Sequence, residues 1–227
     1  MKARRIGLAL GGGGARGLAH IPVLEALDAI RVRPAALAGT RMGAIIGALY
    51  ASGLPGRAIR RLIRERTIRK GESLRGILGK RGVLLQWLRT MTPDFRGRGL
   101  LRTDRFIRLL AEELECDTFE DLAIPLTVVA ADFWTAEQVA IESGELLPAI
   151  QASMAVPGAF APVERDGRIL VDGGVVNLVP YDLLRGHCDL VIAVDVAGTA
   201  LPPKKHRPPA APDAVLGAFD INQAAVL

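Results

Sequence analysis

Residues 6–53 read IGLALGGGGARGLAHIPVLEALDAIRVRPAALAGTRMGAIIGALYASG, and the alternation inside this stretch decides the fold class. Ile6 to Leu10 is a short apolar run that empties into four glycines, Gly11 to Gly14. Leu18, Ile21, Leu24 and Leu27 then recur at helical spacing up to about Ala29, as the buried face of a helix requires. A second short apolar run over 35–38 reaches a tight turn between Gly39 and Gly43. A helix of small residues follows through Ala51 and stops at Ser52-Gly53-Leu54-Pro55. Strand, glycine turn and helix, twice over, is the rhythm of a parallel sheet with crossover helices, so the expected class is α/β.

Further along, the apolar patterns predict strands over 126–132, 138–141, 168–171 and 190–195, and helices over 145–153 and 181–186. Thr103 is a good N-cap for a helix running to Leu114. Residues 57–70, RAIRRLIRERTIRK, set Ile59, Leu62 and Ile63 on one helical face among arginines, and 71–99 is glycine-rich, basic and irregular, which reads as a flap. The chain turns proline-rich over 201–212, a linker pattern, and 213–227 has the composition to start another helix. One domain over 1–200 with a tail over 201–227 is the expected organisation.

Composition agrees. Of 227 residues 50% are hydrophobic, enough for one α/β core, and only 4% are aromatic, a balance that suits buried parallel strands. Cys116 and Cys188 show no metal-like spacing, and the apolar start is too short for a signal peptide, so a reduced cytoplasmic protein is expected. The longest apolar run, from about Leu122 to Ala131, is broken by Pro125 and is too short to cross a bilayer, so any membrane contact is peripheral. The net charge of +5 is unevenly spread. Residues 57–108 hold sixteen Lys/Arg against four Asp/Glu, a local +12, and the remainder carries −7. Such asymmetry fits an anionic partner, a membrane surface or a nucleic acid; a solvated arginine face accounts for it equally well. Trp87 and Phe95 are the only aromatics from Arg57 to Arg102, so stacking platforms for nucleic acid are scarce and none is expected to bind.

Three motifs carry chemistry. Gly11-Gly12-Gly13-Gly14-Ala15-Arg16-Gly17 follows a strand and opens a helix, which lets backbone N–H groups converge on an anion or an oxyanion. Gly12, Gly14 and Gly17 also satisfy GxGxxG. A dinucleotide site needs an acid at the end of the second strand, though, and that strand ends Ala38-Gly39-Thr40; the Lys-Ser/Thr pair of a P-loop is missing too. Gly39-Thr40-Arg41-Met42-Gly43 has the frame of a nucleophile elbow, with glycines two before and two after a residue perched on a strained strand-to-helix turn. The central residue is arginine, whose protonated guanidinium cannot attack a carbonyl. Val171-Asp172-Gly173-Gly174 ends a strand on a carboxylate; alone, such a sequence is ordinarily just a turn.

Taken together the blocks resemble the bacterial patatin-like phospholipases. LALGGGGARGLAH is similar to that family's oxyanion block, GTRMGAIIGALYASG to its GxSxG elbow and helix, QASMAVPGAFAP to the block before its aspartate, and LVDGG to its catalytic Asp motif, in order over roughly residues 4–196. The resemblance implies a three-layer α/β fold with a mostly parallel central sheet and helices on both faces. It implies ester hydrolysis through a Ser-Asp dyad, an oxyanion hole from the N–H groups of Gly12, Gly13 and Gly14, Arg41 at the nucleophile position, Asp172 as base, and Ser153 as a nearby residue that positions loops. It implies an acyl ester or phospholipid substrate and no metal or cofactor. His20, His187 and His206 stand where no triad base would, which agrees with a dyad. Arg41 departs from the pattern and makes an inactive molecule the expectation. An inactivating substitution and a natural pseudoenzyme both account for it; the intact glycines and Asp172 favour the first. The rival function is non-catalytic binding of a lipid or anion by the Arg41 fork. In the family geometry the base and nucleophile positions lie within hydrogen-bond reach, which favours an Arg41–Asp172 pair; the alternative is a side chain that bends out along the cleft, where an acyl chain or head group would lie. Nothing in the sequence speaks to oligomeric state.

Overall fold

In the computed structural model of the protein, residues 4–67, 114, 116–157 and 160–198 are described. The expected flap over 71–99, the helix from Thr103 and the tail over 201–227 lie outside them.

The apolar run Ile6–Leu10 forms β1, with Leu8, Ala9 and Leu10 fully buried, as a central strand covered on both faces must be. It pairs in parallel with β2 (Ala36–Gly39) on one side and with β7 (Leu190–Val194) on the other. β2 pairs in parallel with β3 (Leu126–Asp132), all seven of whose residues are buried. β3 also bears two antiparallel partners, β4 (Gln138–Ile141) and β6 (Arg168–Asp172), and β6 forms a hairpin with β5 (Val163–Arg165). The architecture is three-layer α/β built on a mixed, mostly parallel sheet.

The register on β3 fixes where the loops meet. Val128 faces Gly39 on one flank and Ile141 on the other, and Ala130 faces Asp172 and Val139. A strand has two edges, so β2 and β6 share the edge opposite β4. β2 occupies its first part and β6 its second, running towards each other. Gly39 and Asp172 therefore sit two ladder positions apart, about 7 Å along β3.

Four α-helices are described: α1 (His20–Ala29), α2 (Met42–Ala51), α3 (Gly56–Thr67) and α4 (Leu146–Ser153). Every residue of α2 is buried. Its small residues let it lie directly on the sheet: a Cβ on Gly43 would run into the carbonyl of Leu10. Leu24, Leu27, Ile45, Ile46, Leu49, Ile59, Leu146 and Ile150 join one core cluster with the sheet residues Leu8, Leu10, Leu37 and Val128. A smaller cluster, Leu184 on Ala9 and Ala38, covers the opposite face.

Some expectations need correction. Residues 181–186 do not form an α-helix; Asp182–Leu184 makes one 3₁₀ turn, and the chain leaves it through Gly186 at φ 80° into β7. The helix after the glycine loop starts later than its apolar spacing indicates, because Gly14–Ala19 is a 3₁₀ helix and α-geometry begins at His20. β5 was not anticipated from three residues of weak pattern. Its signal was the turn, Asp166-Gly167, where both residues take positive φ (51° and 73°), as a tight hairpin requires.

Candidate active site

The turn from β2 into α2 has no room for side chains on its flanks. A Cβ on Gly39 would lie 2.7 Å from the Ala44 nitrogen, and Gly43 is closed off by Leu10. Thr40 is fully buried; its N–H donates to the Leu10 carbonyl (3.1 Å) and its hydroxyl to the Asn177 carbonyl (2.9 Å). Pinned on both sides, the chain passes residue 41 at φ 54°, ψ −117°, outside the regions a non-glycine residue ordinarily adopts. Such a conformation costs on the order of 1–3 kcal/mol and persists only where the surroundings over-determine it. The Arg41 N–H donates to Ser153 Oγ (2.9 Å), a fully buried hydroxyl at the end of α4, so Ser153 holds the turn's backbone.

From this perch the Arg41 side chain reaches the end of β6. Its Nε donates to Asp172 Oδ1 (2.6 Å), and a terminal guanidinium nitrogen donates to Asp172 Oδ2. This is a two-pronged charge-assisted pair between a side chain 15% exposed and a carboxylate with no exposure at all. Asp172 Oδ1 also accepts from the Gly174 N–H (2.9 Å). The expected Arg41–Asp172 pair is thus present, and the end-to-end approach of β2 and β6 explains it.

Two glycine loops close around the guanidinium. A Cβ on Gly174 would stand 2.8 Å from Arg41 Nε, and one on Gly12 would stand 3.0 Å from Arg41 Cδ. Gly13 is extended at φ 176° and Gly14 has φ 54°. The three amides of Gly12, Gly13 and Gly14 are not equivalent. Gly12 N–H donates to the Leu178 carbonyl (2.9 Å), whereas those of Gly13 and Gly14 have no acceptor among the described residues. The bond to the Leu178 carbonyl, in the loop after Asp172, had no signal in the sequence.

The described histidines stand apart from the pair. His20 Nε2 is 2.8 Å from the Gly11 carbonyl and its Nδ1 is buried without a partner among the described residues, while His187 is exposed in the turn before β7. His206 lies outside the described residues. Among the described residues no group of three or more His, Cys, Asp or Glu is placed to hold a metal ion, and no helix is long and apolar enough to cross a membrane.

Comparison with known proteins places these features in a family. The family model described as Patatin-like phospholipase matches residues 8–185. An NTE family protein of Mycobacterium tuberculosis (strain H37Rv) is 35% identical over 206 residues, covering 90% of this chain and 52% of that protein. Human patatin-like phospholipase domain-containing protein 6 is 33% identical over 194 residues, covering 84% of this chain and 13% of its own length. The chain thus spans about half the length of the mycobacterial relative. Among solved structures, VipD from Legionella pneumophila superposes with a TM-score of 0.46 at 14% identity, over 78% of this chain and 47% of that one, a likeness too loose to carry weight. The family model takes in both the glycine loop and the Asp172 turn, and the chain belongs to the patatin-like phospholipase family, whose lipid acyl hydrolase scaffold it carries.

Proposed function

We propose that the chain is the frame of a lipid acyl ester hydrolase that works through a residue-41 nucleophile and Asp172, and that it is hydrolytically inactive with Arg41 in place. The observation that carries this reading is the Arg41–Asp172 fork at a strained turn, facing two glycine loops. With serine at 41, the hydroxyl proton passes to Asp172 as Oγ attacks the ester carbonyl carbon. The carbonyl oxygen takes up the electron pair as an oxyanion, for which the open N–H groups of Gly13 and Gly14 are the donors. Collapse of the tetrahedral species expels the alcohol, protonated from Asp172, and leaves an acyl-serine. Water, giving its proton to Asp172, then attacks the acyl carbon; the C–Oγ bond breaks, the proton returns from Asp172 to the serine oxygen, and the fatty acid leaves. Gly12 enters this scheme as a close-packed backbone and not as a donor, since Leu178 already accepts its N–H.

Arg41 removes the nucleophile, neutralises the base and fills the space beside Gly12 and Gly174 that the substrate carbonyl needs. The rival reading, in which Arg41 is a free fork for an anionic head group, is disfavoured because Asp172 already takes two of its nitrogens. Peripheral contact with anionic lipid through residues 57–108 completes the proposal.

The test is hydrolysis of a short-chain chromogenic ester by the parent, Arg41→Ser, and Arg41→Ser with Asp172→Ala. Arg41→Ser is expected to raise activity by about 10³-fold or more, and the second change to return it close to the parent. A restored activity that survives loss of Asp172 would overturn the dyad.

A further inference from the structure

His20 is the first residue of α1, has no exposed surface and plays no part in the chemistry above. Its Nε2 lies 2.8 Å from the Gly11 carbonyl. A carbonyl oxygen only accepts, so Nε2 carries the proton and Nδ1 the lone pair. That second nitrogen has no partner among the described residues, so a proton there would be a buried, unsatisfied donor on a charged ring. Both features keep the imidazole neutral and donating in one direction. Burial accordingly pushes its pKa below the ordinary histidine value, although the bond to Gly11 and the charge of Asp195 act the other way.

The carbonyl His20 holds belongs to a particular peptide unit. The C=O of Gly11 and the N–H of Gly12 are two ends of one planar group. His20 fixes the first end, and Leu178, beyond the Asp172 turn, fixes the second at 2.9 Å. The Gly11 N–H is tied in turn to the Val194 carbonyl of β7 (3.0 Å). With that plane locked, the next two amides, Gly13 and Gly14, are the first in the loop left open, and Gly12 lies against the residue-41 side chain. A run of four glycines has almost no conformational preference of its own, so the direction of the open amides must be imposed from outside.

We infer that His20 is a positioning residue of the oxyanion loop: through its neutral Nε2–H it clamps the Gly11–Gly12 peptide between α1 and the Asp172 turn and so aims the amides of Gly13 and Gly14 at the substrate carbonyl. This rests on the hydrolase reading above, which makes those amides the oxyanion donors. The effect belongs to the transition state, where the oxygen becomes charged, and should fall on kcat more than on KM.

The experiment has two arms. In the full chain as it stands, ¹⁵N NMR reads the His20 ring and amide hydrogen exchange reads Gly12. The neutral Nε2–H form is expected to persist at pH 6.5, where an ordinary imidazole is half protonated. The Gly12 amide is expected to exchange slowly and to lose that protection in His20→Leu, with circular dichroism and the melting of the remaining fold retained. In the Arg41→Ser background, His20→Leu is expected to lower kcat about tenfold or more with KM within about twofold. His20→Gln, whose side-chain amide can still donate to Gly11, should recover much of that loss. A ring protonated on Nδ1, unchanged Gly12 exchange in His20→Leu, or equal kcat for the Leu and Gln variants would overturn the clamp. If Arg41→Ser itself shows no hydrolysis, the hydrolase reading fails and the NMR arm still decides whether His20 holds the peptide.

Discussion

The two partners at the centre of the site stabilise each other's buried charge. Removing Asp172 alone leaves a guanidinium only 15% exposed without its carboxylate, and removing Arg41 alone leaves a fully buried carboxylate that keeps the Gly174 N–H. Losing one partner of a buried pair costs about 3–5 kcal/mol, and the residual exposure of Arg41 lowers that to roughly 2–3. Asp172→Ala should therefore destabilise the parent by that amount in denaturant unfolding and destabilise Arg41→Ser by clearly less. Equal losses in the two backgrounds would show that the ion pair contributes nothing. His20 gives a second prediction at this scale. Its folded pKa is depressed by burial, so between that value and the ordinary 6.5 the unfolded chain binds the extra proton. The contribution of neutral His20 is fully present above about pH 6.5 and is lost progressively as pH falls towards the depressed value. A plot of unfolding free energy against pH should slope downward below that point in the parent and flatten there in His20→Gln. Of these residues, Arg41 and Asp172 were legible because their motifs fix the local backbone. The acceptor on Gly12 was not, since Leu178 sits in a stretch with neither periodicity nor motif to say which carbonyl turns inward.

Among the elements, the meeting of β2 and β6 depends on α2 lying hard against the strand ends, and Gly43 permits it. An added Cβ there meets backbone, the carbonyl of Leu10, which cannot swing away as a flexible side chain would. Gly173 is in the same position against the Val129 carbonyl on β3. Gly43→Ala should cost about 3 kcal/mol or more in thermal or denaturant unfolding, while Gly53→Ala, where nothing lies within 4 Å, should cost only about 1 kcal/mol for its positive φ. Comparable losses at the two positions would mean that α2 has freedom to shift outward. The elements around this contact were readable from the sequence where one physical rule governed them: β1, β2 and β3 as uninterrupted apolar runs, and α2 as small residues after an elbow. The sequence misled where rules competed. Tyr181 to Gly186 has helical composition, yet Arg185 takes extended backbone and Gly186 a left-handed turn, because six residues must bring the chain back to β1's free edge. In β5 the pattern was too short to register, although the Asp166-Gly167 turn announced a hairpin.

The charge of the whole molecule is divided: +12 over residues 57–108 and −7 elsewhere. The described part of the basic segment, α3, shows how that charge is presented. Ile59 has no exposure, and Leu62 and Ile63 pack on the core cluster beside α1, so the apolar side of this amphipathic helix is already used inside the protein. Arg60 is paired with Glu25 through two bonds of 2.5 Å, and Asp28 accepts from both Tyr50 and the Gly56 N–H, which ties α3 to α1 and α2. Arg57, Arg61 and Arg64 remain exposed. In the proposed membrane contact, a helix anchored in this way would meet lipid through its cations and not by inserting an apolar face, a distinction the sequence pattern alone did not make. Attraction to anionic lipid is worth about 1 kcal/mol per basic residue near the surface and decays over a Debye length of about 8 Å at physiological salt. The contact proposed for α3 should therefore be electrostatic. Sedimentation with vesicles containing anionic lipid is expected to carry the protein down at low salt and to lose it by about 0.5 M salt, where screening shortens that length to roughly half. Vesicles of zwitterionic lipid alone should not bind. Arg57→Glu with Arg61→Glu and Arg64→Glu should weaken binding without changing the melting temperature by more than a few degrees, because none of the three is buried. Binding that is indifferent to salt, or equal on the two kinds of vesicle, would refute an electrostatic attachment and show that apolar surface outside α3 carries the contact.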